Sequence, residues 1–144
     1  MEDPAARDRL LASLGRETYV NLTTRRRDGT ERATPVWVVR DGDVLLVTTG
    51  AGSAKVRRAR REPAATLTPC DARGRAKSGA MTTPVTVEVT DDPAVRLRVD
   101  QLLRRKHPVG FRLVSAAGAL SRLRRRSGGA GDEQVVLRLR LRDA

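Results

Sequence analysis

The sequence predicts a mainly β protein with inserted helices, in which six mostly antiparallel strands form a small closed barrel. Three observations predict it. Short segments rich in Val, Thr and Leu alternate apolar with polar residues along the chain. Two of the junctions between them are Asp-Gly turns, Asp28-Gly29 and Asp41-Gly42, short enough only for antiparallel neighbours. And 144 residues supply one core rather than two, since a chain of this length buries roughly 68–70% of its unfolded surface. The expected organisation is a single domain over 1–144, with an N-terminal helix in 1–15 and a barrel with helical insertions in 16–142.

Residues 4–15 read as a helix: Asp3 caps it, Pro4 suits its first turn, Leu10, Leu11 and Leu14 recur at helical spacing, and Gly15 stops it. The first strand runs over 17–26, with Tyr19, Val20 and Leu22 as its apolar content. A turn at 27–30 leads to the second, over 31–40. Pro35 cannot donate a ladder bond, so that strand is expected at an edge or with a bulge. The third covers 43–49. Gly50-Ala51-Gly52 breaks the sheet, and Ser53 caps a short helix that Pro63 ends. Strand four is 64–70, a loop follows at 71–75, and strand five lies within 81–90, where Val85, Val87 and Val89 alternate. Asp92-Pro93 opens a helix to about Lys106, and His107-Pro108 interrupts it. A second helical piece over 111–125, a flexible loop at 127–132 and a last strand over 134–142 complete the chain. In that strand Val135, Leu137, Leu139 and Leu141 face inward.

The charge balance is lopsided: 29 Lys plus Arg against 17 Asp plus Glu, a net +12. Only Lys55, Lys77 and Lys106 are lysines. The arginines read either as a solvated surface or as the footprint of an anionic partner: nucleic acid, a membrane surface or a phosphorylated small molecule. The aromatic residues are Tyr19, Trp37 and Phe111, too few for the stacking platform of a single-strand nucleic-acid binder. One cysteine, Cys70, makes no internal disulfide and points to a reducing compartment. With a single histidine, His107, it builds no ordinary zinc site. No run of 18 apolar residues is present, and the Met-Glu-Asp-Pro start shows no secretory leader, so the expected location is the cytoplasm, without a membrane.

The segment V-T-T-G-A-G-S-A-K-V-R-R is the most informative for chemistry. A strand ends in Thr48 and Thr49, a glycine turn follows, and Ser53 begins a helix carrying Lys55 and Arg58. Free N–H groups at a helix start, with hydroxyls and two cations, suit a phosphate. Neither the Walker nor the dinucleotide glycine spacing is met. The same residues describe a plain strand–turn–helix with a solvated basic face, and residue types leave both readings open. Thr34-Pro35-Val36-Trp37 offers a gap in a ladder against which a planar group can lie, or simply an edge strand with a buried Trp. In Thr68-Pro69-Cys70-Asp71-Ala72-Arg73-Gly74-Arg75, the acidic neighbour of Cys70 argues against a thiolate nucleophile, and Arg73 or Arg75 is the better anion contact. His107, beside a proline at a helix break, reads as a cap or surface residue rather than a general base.

In order, T-P-V-W, then D-G-x-x-x-x-V-T-T-G-x-x-S-x-K-V-x-R-x-R, then P-C-D-x-R-G-R resembles the split β-barrel flavin and deazaflavin oxidoreductases (pyridoxamine 5'-phosphate oxidase-like), and within them the coenzyme F-420-dependent class. The likeness spans about 16–142. It implies a six-stranded split barrel of the FMN-binding type, paired as a homodimer with cofactor grooves at the interface. It implies that Ser53, Lys55 and Arg58 hold the cofactor phosphate with Thr48 and Thr49 nearby. Thr34, Pro35, Val36 and Trp37 then lie along the deazaflavin ring, and Arg73, from the partner subunit, reaches an anionic tail. The implied cofactor is coenzyme F-420, with FMN as the alternative. The implied reaction is hydride transfer to or from an unsaturated small molecule, with no catalytic acid–base residue. A non-catalytic cofactor carrier is the other reading of such a barrel, and nucleic-acid binding the least favoured. The chain departs from the resemblance at Thr83-Pro84-Val85, where relatives often have glycine, and at His107-Pro108, where they often have an aromatic residue.

Overall fold

The computed structural model describes residues 3–108 and 134–142. Helix α1 (Pro4–Arg16) begins as expected, with Asp3 Oδ1 accepting from the Ala5 N–H at 3.0 Å. It does not stop at Gly15. A Cβ there would stand 2.9 Å from the Cβ of Arg40, so this glycine serves the close approach of α1 to the sheet rather than a helix end.

Strands β1 (Tyr19–Arg25) and β2 (Glu31–Trp37) form a hairpin. Gly29 takes a φ of +88° in its turn, and Asp28 Oδ1 accepts from both the N–H and the hydroxyl of Thr30. The single strand expected over 31–40 is two: β2 ends at Trp37, and β3 (Val39–Asp41) begins after Val38. β2 pairs with β1, whereas β3 pairs with β4 (Val44–Gly50), so the segment changes partners at a corner. Among the described residues, seven strands therefore stand where six were expected. The others are β5 (Ala64–Cys70), β6 (Thr83–Thr90) and β7 (Gln134–Leu141), and helices α2 (Ala54–Arg61) and α3 (Pro93–Lys106) complete the described elements.

The sheet is wholly antiparallel, in the order β2-β1-β5-β6-β7-β4-β3. Its two edge strands, β2 and β3, are consecutive in the chain across the fully buried Val38, which is how the sheet curls on itself into a split barrel. Pro35 lies in edge strand β2, opposite Asn21, the kind of strand in which a residue without an N–H is tolerated. The expected helix over 111–125 and loop over 127–132 lie outside the described residues. Among those described, no helix is long and apolar enough to cross a membrane.

Two apolar layers follow from the two-residue period of the strands. The inner one joins Val20 and Leu22 of β1, Val36 of β2, Leu45 and Val47 of β4, and alternate residues of β5, β6 and β7. Leu11 and Leu14 of α1 and Val56 and Ala59 of α2 complete it, so these helices cover the barrel's interior. Burying a side chain such as Val56 contributes roughly 1.5–3 kcal/mol, enough to fix α2 to the barrel. The outer layer sets Val39, Val44, Leu46 and Val136 beneath Val99 and Leu103 of α3, with Trp37 at its margin.

Candidate functional site

Strand β4 places the start of α2. Its apolar register puts Leu45 and Val47 inward, and Thr49 follows on the same face, 8% exposed. The chain turns through Gly50-Ala51-Gly52, where the Ser53 N–H donates to Gly50 O at 3.1 Å. Ser53 occupies the N-cap position with extended backbone, but its hydroxyl makes no capping bond. The Ser53 Oγ is buried and has no partner among the described residues. A buried hydroxyl without a protein partner at a helix start fits a group that can hydrogen-bond there.

Two cations, Lys55 and Arg58, follow along α2. Arg58 Nε donates to the Thr24 hydroxyl at 2.7 Å. Thr24 extends the inward face of Val20 and Leu22 and is 1% exposed. Burial is the first cause that holds the Arg58 guanidinium below its ordinary value, and the charges of Arg26, Arg32, Arg57 and Arg61 add to it. The Lys55 ammonium is also held below its usual value, by burial and then by Arg58. These groups press positive charge on one another, and Arg58 satisfies its Nε with a neutral hydroxyl rather than a carboxylate. An anion placed there relieves both burdens.

Thr34 shares this region. It lies on the same side of β2 as the core residue Val36, two residues beyond Arg32, which stands opposite Thr24 across the ladder. Sequence reasoning missed Thr24, Arg26 and Arg32. The signal was present: a hairpin register that pairs 24 with 32 sets both on the face of the β1–β2 ladder that Thr34 shares.

The remaining expected residues divide by face. Val36 gives its side chain to the barrel core at 8% exposure, so only its main chain borders solvent-facing space. Pro35 and Trp37 take the opposite, outer face. Thr48 is also outward and donates from its hydroxyl to Gln134 Oε1 at 3.4 Å. Arg73 is exposed on a turn built by Asp71, whose Oδ1 accepts from the N–H groups of Arg73 and Arg75, both at 2.9 Å. That turn is docked on β1 and β2 of the same chain. Asn21 Nδ2 donates to Gly74 O at 2.6 Å, and a Cβ on Gly74 would meet Asn21 Oδ1 at 3.2 Å and Pro35 Cδ at 3.5 Å. The structure thus places Thr49, Ser53, Lys55 and Arg58 at the end of β4 and along α2, and Thr34 on the inward face of β2 two residues from Arg32. It sets Pro35, Trp37, Thr48 and the Arg73 turn on the outer side of the sheet.

Two neighbouring features bear on chemistry. Burial, with Asp71 and Glu17 nearby, raises the Cys70 thiol above its ordinary value, which disfavours a thiolate. His107 stacks on Trp37 with ring centroids 4.8 Å apart, and burial, then Lys106, holds its imidazole below the usual value. A cleft of about 300 Å³ on the outer face, bounded by Arg25, Glu31, Glu62 and Arg142, contains none of the expected residues.

Solved structures share the fold. A putative pyridoxamine 5'-phosphate oxidase from Listeria innocua superposes with a TM-score of 0.63 at 16% identity, over 96% of this chain and 94% of that one. A protein described as an F420 reductase gives 0.59 at 22% identity, over 91% and 92%. The heme storage protein HutZ from Vibrio cholerae gives 0.62 at 11%, over 100% and 93%. Identities this low establish a common split barrel and not a common activity. No curated protein matches the sequence. The family model that does match, over residues 10–119, is described as "Uncharacterized protein conserved in bacteria (DUF2255)", and it covers most of the chain. By sequence, then, this split-barrel chain is a member of the DUF2255 family.

Proposed function

We propose that the protein is a coenzyme F-420-dependent oxidoreductase, cytoplasmic and homodimeric, that transfers a hydride between the reduced deazaflavin and an unsaturated small molecule. The observation that carries this reading is the crowding of Arg58 with Lys55, Arg26, Arg32, Arg57 and Arg61, on a helix whose N-cap Ser53 hydroxyl is buried without a partner among the described residues. When bound, the deazaflavin supplies the redox chemistry. The chain's own residues bind and orient it. Lys55, Arg58, the α2 N–H groups and Ser53 hold phosphate, with Thr49 at the floor. The free edge of β2 over Thr34–Trp37 presents main-chain donors and acceptors to a planar ring. Arg73, on its rigid turn, meets anionic groups further out, from the partner subunit.

FMN also carries a phosphate and is the second reading of the same cradle. Positive charge extending past the cradle to Arg26, Arg32 and Arg61 favours the more anionic deazaflavin. The fold neighbour described as an F420 reductase points the same way. The test is a fluorescence titration with oxidised coenzyme F-420 beside FMN. Tighter deazaflavin binding by at least about tenfold, roughly 1.4 kcal/mol, supports the reading. Tighter FMN binding, or binding of neither, overturns it. Oxidation of the reduced cofactor by an added enone then separates an enzyme from a carrier.

A further inference from the structure

We infer that Lys106 and His107, at the C-terminal end of α3, are positioning residues for Trp37 and so set one wall of the candidate site. The inference rests on the reading above, in which the Thr34–Trp37 edge receives the cofactor ring. The corner where β2 becomes β3 is unusual in its bonding. A strand that changes partners within one residue leaves main-chain groups outside both ladders, and here Val38 is that residue. The Lys106 Nζ donates to Val38 O at 2.5 Å and to Glu17 O at 2.5 Å. One ammonium thus ties α3 to the residue directly after Trp37 and to the chain two residues before Tyr19, which is the ladder partner of Trp37.

The next residue completes the arrangement. His107 ends α3, its N–H donating to Leu103 O at 2.8 Å, and its ring lies against the indole at a 33° interplanar angle. Trp37 is therefore held from behind by the corner bond and from the side by an imidazole. Glu17 is also fixed, since its Oε2 accepts from Lys77 Nζ at 2.6 Å. The Lys106 ammonium thus pulls on a braced carbonyl rather than a loose one. Half-burying a lysine is costly, and burial pushes Lys106 down to about 8. Two main-chain acceptors offset that cost only where the helix end stands, which makes the placement of the corner specific.

Nothing in the hydride-transfer reading uses these two residues. They touch no expected phosphate contact, and His107 Nε2 is buried without a partner among the described residues. Their role is to fix the indole, not to react.

The experiment uses the full chain with Lys106→Met, Lys106→Arg, His107→Ala and His107→Phe, and Lys55→Ala/Arg58→Ala as the reference for the site itself. Trp37 is the single tryptophan, so its emission maximum and acrylamide quenching report its setting directly. Expected is a red-shifted, more quenchable Trp37 in Lys106→Met and His107→Ala, with recovery in Lys106→Arg and His107→Phe. A guanidinium still donates to two carbonyls, and a phenyl ring still stacks. Coenzyme F-420 affinity should fall at least about fivefold in the first pair and recover in the second. Should Lys106→Met fail to fold, the His107 pair decides alone. Unchanged Trp37 emission in a folded Lys106→Met or His107→Ala overturns the inference. Loss of emission character with no loss of affinity also overturns it, provided Lys55→Ala/Arg58→Ala does weaken binding. If that double variant binds like the wild type, it is the cofactor reading that has failed, and Trp37 emission still decides the positioning claim.

Discussion

Arg58 donates its Nε hydrogen to the Thr24 hydroxyl, at 2.7 Å and at the buried end of β1. The bond locks the guanidinium against the barrel and leaves its two NH2 groups for something else. Thr24→Val keeps the shape and removes the acceptor. We expect a loss of folding stability of no more than about 1–2 kcal/mol by urea unfolding, because valine keeps the packing and the half-exposed Arg58 Nε–H, left without its acceptor, can turn to water. Coenzyme F-420 affinity should fall several-fold as Arg58 loosens. Equal affinity in a folded Thr24→Val would show that the bond orients nothing.

Gly74 holds the Arg73 turn against Asn21 and Pro35 with a φ of +84°. Gly74→Ala adds a left-handed penalty of roughly 1–2 kcal/mol and a Cβ 3.2 Å from Asn21 Oδ1. Gly29→Ala, at φ +88° with nothing within 4 Å, carries the backbone penalty alone. Chemical denaturation should therefore show the larger loss for Gly74→Ala. An equal loss at both would mean the turn is not docked as described.

Three lysines make site-resolved titration direct. The Lys106 ammonium should titrate at about 8, below the ordinary 10.5, and Lys55 also below it, read from side-chain NMR shifts. Between pH 8 and 10.5 the unfolded chain holds a Lys106 proton that the folded chain has released, so stability attributable to this group rises with pH across that window. Comparison with Lys106→Met isolates the contribution of this ammonium. A wild type that gains nothing over the variant from pH 8 to 10 contradicts the assignment.

His107 and Trp37 are each the single residue of their type. Burial and Lys106 keep the imidazole neutral to a pH below its usual 6.5. On acidification the unfolded chain takes up that proton first, so this group's contribution to stability begins to fall below pH 6.5 and is lost as pH falls through the lowered folded value. Trp37 fluorescence should be quenched as a cation forms against the indole, with a midpoint below 6.5. A midpoint at or above it counts against the stacked geometry.

Much of this molecule is legible in its sequence because strand registers and turns are local. Asp28-Gly29 and Asp41-Gly42 announce their hairpins, and Pro35 announces an edge. The corner at Val38 is not legible: Val36 to Val39 is one apolar run, and only the barrel's need to close tells the strand to change partners. Gly15 looks like a helix stop because its true constraint, the Cβ of Arg40, comes from a strand 25 residues away in sequence. Ser53, Lys55 and Arg58 stand out as a local motif, whereas Arg26 and Arg32 join them only through the β1–β2 register. The two-face division of the remaining candidates also needs the register, since Thr34 and Pro35 are neighbours in sequence and opposites in space.

In the function proposed above, the cations of α2 hold the anionic end of a redox cofactor. Equilibrium titration of oxidised coenzyme F-420 into the wild type and into Lys55→Ala/Arg58→Ala, at one ionic strength and with folding verified by circular dichroism, tests it most directly. Each charge-assisted contact is worth roughly 1.5–3 kcal/mol, so the double variant should bind at least about tenfold more weakly. A Kd that is the same in both proteins contradicts the account.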